Sequence, residues 1–338
     1  MKALLIGGTG TISLPISRKL VALGWDVTLM NRGSRNDLVP GAKTLICDIN
    51  DAKAAEEALE GRFFDVVAQF VAYTPDQVLR DISLFTGKTR QYIFISSASA
   101  YSKPARNAII TESTPLYNPY WQYSRDKAKC EGVLNFARDM DNFPMTIVRP
   151  SHTYGVGSLP LSVHGGKGPW QIIERVMNNK PVLIPGDGTS LWTVTWAEDF
   201  ADAFIGLMGN DHAIGEAVHI TSDEALTWNQ IHRLLSEALD RPFIPCYVPS
   251  TLLAQAPQYD YAGSLLGDKA NCAVFDNSKI KRLVPGFAAK TRFDQGLRLS
   301  LDYILKTPEK QTPDPDFDRF CDKVADMMKR AEDELSQA

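Results

Sequence analysis

A glycine turn close to the amino terminus constrains this chain more than any other feature. Ala3–Ile6 is a short apolar run, and Gly7-Gly8-Thr9-Gly10 follows it at once. Apolar residues then recur at helical spacing (Ile12, Ile16, Leu20, Leu23) up to Gly24. In a strand, glycine turn and helix, a pair of phosphates can reach the amides that a helix start leaves unpaired. Side chains at Gly7 or Gly10 would obstruct the turn or that approach. Ser13 stands where a third glycine often permits close helix–strand packing, and serine is small enough to serve. A plain strand-to-helix turn is the bland alternative. Because this turn opens an alternating pattern, the stronger expectation is a dinucleotide site, for NAD or NADP.

The alternation runs on. Strands are predicted at Trp25–Met30, Thr44–Cys47, Asp65–Val71, Tyr92–Ser96 and Met145–Val148, with helices at Ala52–Leu59, Gln77–Thr86 and Tyr123–Arg138. Right-handed crossovers between such strands give a Rossmann-type, doubly wound parallel sheet of the α/β class. After Pro150 the texture changes, with glycine and proline clustered in Gly155–Pro169 and Pro181–Gly188. The expected division is a dinucleotide-binding domain over 1–154 and a smaller C-terminal substrate lobe over 155–338, some later segments returning to the first sheet. Helices are predicted at Trp170–Met177 and Glu198–Met208. Phe320–Leu335 reads as a charged amphipathic helix docked on the surface rather than a partner-binding element.

Where the second strand ends, the acid that would grip the ribose 2′-hydroxyl of NAD is absent, and Asn31-Arg32-Gly33-Ser34-Arg35 stands there instead. A guanidinium at Arg32 suits the 2′-phosphate of NADP; stacking on adenine would serve either cofactor. NADP is therefore the modestly favoured expectation. Asp48, just past the third strand, reads either as an acceptor for the adenine amino group or as the cap of its own turn.

Tyr123-Ser124-Arg125-Asp126-Lys127 puts a tyrosine and a lysine four apart on one helix face, downstream of Ser97 at a strand's carboxyl end. Hydride transfer at an alcohol carbon requires a proton to move at its oxygen. A phenol with an ordinary pKa of about 10 does this near neutrality only if its phenolate is stabilised, and a nearby ammonium plus the nicotinamide charge would supply that. Ser97 would hold the substrate oxygen. A Tyr–Lys pair alone is more often a surface helix pair; the position after Ser97 and the fifth strand changes the reading.

To about Ile304, the chain resembles the extended short-chain dehydrogenase/reductase group of epimerases and dehydratases. The resemblance rests on Gly7-Gly8-Thr9-Gly10, Ile95-Ser96-Ser97-Ala98-Ser99-Ala100-Tyr101, Tyr123 with Lys127, Val148-Arg149-Pro150 with Tyr154-Gly155, Pro185-Gly186-Asp187-Gly188 and Glu198-Asp199-Phe200-Ala201. It implies a catalytic triad of Ser97, Tyr123 and Lys127, with Lys127 also on the nicotinamide ribose. The implied cofactor contacts are Gly7, Gly10, Thr11, Ile12, Asn31, Arg32, Asp48, Ala72, Lys127 and Pro150. Dehydratases of the group carry Asp-Glu after the serine or threonine; Ala98-Ser99 stand here, which disfavours dehydration. The arginine that clamps a nucleotide-sugar diphosphate, seven residues before the position of Asp199, is replaced by Trp192, and Trp196 replaces a histidine. Ser99, Trp192 and Trp196 are the candidate substrate contacts; for the two tryptophans, stacking on a sugar ring and burial in the core are equally open.

The leading expectation is an NAD(P)-dependent epimerase or oxidoreductase acting on a hydroxyl or keto carbon of a sugar-like, small-molecule substrate. The competing one is a non-catalytic NAD(P)-sensing or RNA-binding protein of the same fold. The net charge of -4 gives no basic footprint, so nucleic acid is not the expected partner. No apolar run approaches the roughly 20 residues of a membrane span, and the run before the glycine turn is too short for a signal peptide. The five cysteines are scattered and odd in number, without metal-ligand spacing. They read as reduced thiols in a cytoplasmic protein, with a homodimer as the candidate assembly.

Overall fold

A computed structural model gives the structure of the chain and describes residues 1–33, 35 and 38–338. Ser34, in the segment after the second strand, lies outside the described residues. In chain order the first elements are β1 (Lys2–Ile6), α1 (Ser13–Ala22), β2 (Asp26–Asn31), β3 (Lys43–Ile46), α2 (Ala52–Leu59), β4 (Phe64–Gln69), α3 (Pro75–Phe85), β5 (Thr89–Ile95), β6 (Ile109–Ile110), α4 (Gln122–Asp141) and β7 (Met145–Pro150). They are followed by β8 (His152–Tyr154), α5 (Trp170–Met177), β9 (Val182–Pro185), β10 (Leu191–Trp196), α6 (Ala197–Leu207), β11 (Ala217–Ile220), β12 (Ala225–Thr227), α7 (Trp228–Ala238), β13 (Pro245–Val248) and α8 (Ser250–Leu253). A π-helical segment, Ala262–Lys269, then precedes β14 (Val274–Phe275), α9 (Ser278–Leu283), α10 (Phe293–Lys306) and α11 (Pro315–Ser336).

Seven strands form one sheet in the order β11-β7-β5-β4-β1-β2-β3, and every pairing in it is parallel. The sheet is Rossmann-type and doubly wound. A parallel sheet covered on both faces needs strands apolar on both sides, and Ala3, Leu4, Leu5 and Ile6 are all fully buried. One face packs on α1 and α6 through Ile16, Leu20, Phe200 and Phe204. The other packs on α2, α3 and α4 through Leu59, Val78, Cys130 and Leu134. The order reverses between β1 and β4, which opens a crevice at the carboxyl ends of the strands. β11, well past residue 155, pairs with β7 and completes the sheet.

The remaining segments build a second core over that carboxyl edge. Trp192 and Trp228 lie 5.4 Å apart at its centre, with Leu183, Ile231 and Leu265 around them. α11 docks here by burying Phe317, Cys321 and Val324, and Asp318 and Asp322 on it pair with Arg175 and Lys180. No helix of the described residues is long and apolar enough to cross a membrane.

Candidate active site

The glycine turn is held from within. Gly7 takes φ +83°, and a Cβ there would stand 2.5 Å from Val71 Cγ1. Ser13 does more than fit beside the strand. Its hydroxyl donates to the Gly7 carbonyl at 2.7 Å and accepts from the Gly10 amide at 2.9 Å, lacing the turn shut. A Cβ on Gly10 would meet only Ser13 Oγ, at 3.5 Å, so the space in front of Gly10 is bounded by little of the protein itself. Ile12, at the start of α1, supplies no side-chain cap. Leu14 N–H donates to the Gly10 carbonyl at 2.8 Å and Pro15 carries no N–H, so the Ile12 and Ser13 amides are the ones left for another acceptor among the described residues.

In front of the turn lies a cleft of 610 Å³ lined by Gly7, Gly10, Asn31, Arg32, Arg35, Asp48 and Tyr73, among others. Asn31 accepts the Gly33 amide through Oδ1 at 2.8 Å, while its buried Nδ2 has no partner among the described residues. Arg32 and Arg35 are exposed. Asp48 lines the cleft and also caps its own turn, accepting from the Asn50 amide and side chain at 3.0 Å each. The cap of its own turn is thus what Asp48 forms in this structure.

Tyr73 also lines a second cavity of 310 Å³ with Ile12, Ser97, Tyr123, Lys127 and Pro150. β5 ends at Ile95, and Ser97 caps the short turn Ala98–Ala100. Tyr123 and Lys127 lie in the first two turns of α4. The buried Lys127 ammonium donates to the carbonyls of Ala72 and Ile95, at 2.7 Å each, and sits 4.7 Å from the ring centres of Tyr73 and Phe94. It is 5.9 Å from the centre of the Tyr123 ring. Burial lowers Lys127 to about 8. Burial raises Tyr123 to about 12, and a hydrogen bond with Ser97 works in the other direction. Burial thus outweighs the Ser97 hydrogen bond at the phenol.

Behind Ser97 lies a chain of hydroxyls. Ser124 donates to Ser99 Oγ at 2.7 Å, and Ser99 Oγ is 2.8 Å from Ser97 Oγ. Ser97 Oγ also accepts the Ser99 amide at 3.1 Å. Deeper still, Glu131, one turn beyond Lys127, accepts from Ser96 and holds Arg149 through a buried ion pair. This pins α4 to the ends of β5 and β7.

Ser97, Tyr123, Pro150, Ser151 and His152 are shared with a third cavity, of 270 Å³, which Ser99, Lys103, Trp121, Trp192, Asp268, Ala273 and Phe275 also line. The three hollows thus run on from one another, from Gly7 to the second core. Trp192 lies in the wall of the third. Trp196 does not: it packs edge-on against Tyr154 at 5.2 Å and lines none of the three. Alternation would put both on one face of β10, but Trp196, four residues on, stands at the junction with α6, where the core takes it. Tyr73, Lys103, Trp121, His152 and Asp268 went unread in the sequence. They come from loops, from the start of the three-residue β8 and from the π-helical segment, where no periodicity announces a site. A larger hollow of 690 Å³ opens at the amino ends of the strands, between Lys2, Asp26 and Arg90, and holds none of the expected residues.

Residues 79–220 match the family described as NAD dependent epimerase/dehydratase. The chain is 25% identical over 288 residues to 2'-dehydrokanamycin reductase of Streptomyces kanamyceticus, covering 85% of this chain and 80% of that protein. It is 31% identical over 242 residues to a UDP-glucose 4-epimerase of Lactobacillus helveticus, covering 61% and 71%. Its fold is similar to that of a UDP-glucuronic acid 4-epimerase from Bacillus cereus solved with UDP-glucuronic acid and NAD, with TM-score 0.72, 18% identity, and 90% and 99% of the two chains covered. With a glycine turn at the switch point of a parallel sheet and a likeness of this extent to an epimerase sequence, the chain belongs to the NAD-dependent epimerase/dehydratase family.

Proposed function

We propose that the chain is an NAD(P)-dependent oxidoreductase or epimerase acting on a hydroxyl or keto carbon of a sugar-like compound. The observation that carries this reading is the continuity of the cleft: the glycine turn opens onto Tyr123 and Lys127, and these open onto a polar pocket with aromatic walls. The residues fit a dinucleotide. Space in front of Gly10, an uncapped helix start and the unpartnered Nδ2 of Asn31 suit a pyrophosphate and its ribose. Arg32 and Arg35 at the far wall, with no carboxylate at the end of β2, favour NADP. When bound, such a group supplies or accepts a hydride at the carbon that bears the reacting oxygen.

The remaining chemistry belongs to the chain. Ser124 donates to Ser99, which frees the Ser99 hydrogen to point at Ser97. In that arrangement Ser97 accepts from both the Ser99 hydroxyl and the Ser99 amide, and its own hydrogen is left for the oxygen beside Tyr123. A phenol raised to about 12 carries its proton near neutrality and can pass it to an oxygen that is gaining negative charge. Lys127, anchored on two carbonyls, stands where it can hold a ribose and place positive charge near the phenol. No carboxylic acid follows Ser97, so expulsion of a hydroxyl is disfavoured.

The test is Tyr123→Phe assayed with NADPH and a panel of keto-sugars that begins with 2'-dehydrokanamycin. Turnover is expected to fall by a factor on the order of 100 or more while NADPH binding persists. Near-full turnover in the variant would overturn the assignment. Tight cofactor retention without net NADPH consumption would mark an epimerase.

A further inference from the structure

The third cavity contains an ion pair that the protein itself does not complete. Lys103 follows the turn after β5 and its side chain is only 2% exposed; Asp268 comes from the π-helical segment and its side chain is 19% exposed. Burial raises the Asp268 carboxyl, with Lys103 acting against it. Their charged atoms stand 3.6 Å apart, beyond hydrogen-bond length. Among the described residues, neither the ammonium nor the carboxylate makes a hydrogen bond within 3.5 Å to any other group. A buried pair of charges is normally hydrogen-bonded throughout, because desolvation otherwise outweighs the attraction. Here the missing partners face a hollow.

We infer that Lys103 and Asp268 read a vicinal diol on a neutral, single-ring polyol, a sugar or cyclitol. One hydroxyl accepts from Lys103 and its neighbour donates to Asp268, which matches a donor and an acceptor set side by side. Trp121, Trp192 and Phe275 supply flat apolar walls for the C–H faces of such a ring. At 270 Å³ the cavity is smaller than the several hundred Å³ typical of drug-sized ligands, and it suits one ring. Its charges cancel. Burial, with repulsion from Lys269, pushes His152 down to about 3, so it adds no cation. A phosphate on the ring would meet the Asp268 carboxylate in the cavity wall, where Lys103 already faces that carboxylate and the nearby Lys269 ammonium is turned onto the Leu161 and Ser162 carbonyls. The inference rests on the proposed function only for which end of the ring meets Tyr123, and its test reads binding, not turnover.

The experiment is saturation-transfer NMR on the full chain with NADP present. The probes are myo-inositol, methyl α-D-glucopyranoside, glucose 6-phosphate and cyclohexanol. At least one of the two neutral polyols is expected to bind, and glucose 6-phosphate and cyclohexanol at least tenfold more weakly. Asp268→Asn should weaken polyol binding tenfold or more. The double variant Lys103→Met/Asp268→Leu removes both charges and so avoids leaving one stranded. It should melt near the wild type, keep NADP and lose the polyol. Polyol binding by the wild type beside no NADPH consumption on any keto-sugar of the panel would sink the proposed function and leave the diol site standing. Three results would each overturn the inference: no binding of either neutral polyol, unchanged polyol affinity in a folded double variant, or glucose 6-phosphate bound as tightly as the glucoside.

Discussion

Two glycines of one turn are expected to respond to alanine in opposite ways. At Gly7 the backbone sits at φ +83°, where an L-residue costs about 1–2 kcal/mol. The new Cβ would also lie 2.5 Å from Val71 Cγ1. Relieving such an overlap in a packed region costs about 1–3 kcal/mol. Loss of unfolded-state entropy returns about 0.4–1 kcal/mol. The net is a destabilisation of roughly 1–4 kcal/mol, and at about 2–4 °C per kcal/mol the melting temperature drops by several degrees. Val71→Ala in the same chain should recover the overlap share and leave the backbone share. Gly10 has no positive φ, and its Cβ would touch only Ser13 Oγ at an ordinary 3.5 Å. Gly10→Ala should therefore melt within about 0.5 kcal/mol of the wild type. Its methyl group nevertheless enters the space assigned to a pyrophosphate, so NADP affinity should fall tenfold or more. Differential scanning calorimetry and NADPH fluorescence titration read the two effects separately. If Gly10→Ala is as unstable as Gly7→Ala, or if it binds NADPH like the wild type, the reading of the turn is wrong.

Arg32→Ala should weaken NADP at least tenfold more than NAD; equal losses would mean that Arg32 only stacks on adenine. Lys127→Met should change the dependence of stability on pH. Burial lowers the folded pKa of Lys127 to about 8 from the ordinary 10.5, so between those values the unfolded chain binds more protons and stability rises with pH, by up to about 3 kcal/mol across the window. Denaturant titrations at pH 7.5, 9 and 10 should show that rise in the wild type and a smaller one in the variant; parallel curves would refute it. Trp196→Phe should lower the melting temperature through lost packing on Tyr154 and leave NADPH affinity unchanged, whereas a selective loss of binding would put Trp196 back in the site.

The sheet was legible because its strands are buried on both faces and so appear as unbroken apolar runs between helices of clear period. Ala3–Ile6 and Met145–Val148 are of this kind, and their predicted bounds differ from the observed ones by only one or two residues. The second core was not legible. β8, β12 and β14 are two or three residues long, and their pairing partners lie tens of residues away, as with β10 beside both β8 and β12. The site divides in the same way. Gly7, Gly10, Ser97, Tyr123 and Lys127 stand in motifs tied to the sheet, and the structure gathers them along one cleft. Lys103 and Asp268 meet across 165 residues of sequence, and nothing local marks either. The two tryptophans show the limit most plainly: both are buried in the second core and only Trp192 also lines the cavity, a difference set by tertiary packing alone. Nor does the spacing of Tyr123 and Lys127 reveal that the Lys127 ammonium is turned onto two carbonyls or that the phenol is buried.

The most direct test of the account is a crystal structure of the chain grown with NADP. The pyrophosphate should lie at the start of α1 before Gly10, the 2′-phosphate within reach of Arg32, and the nicotinamide ribose on Lys127, with the nicotinamide beside Tyr123 and Pro150. A dinucleotide bound elsewhere, or none bound at millimolar NADP and NAD, would contradict the assignment of the cleft and the chemistry built on it.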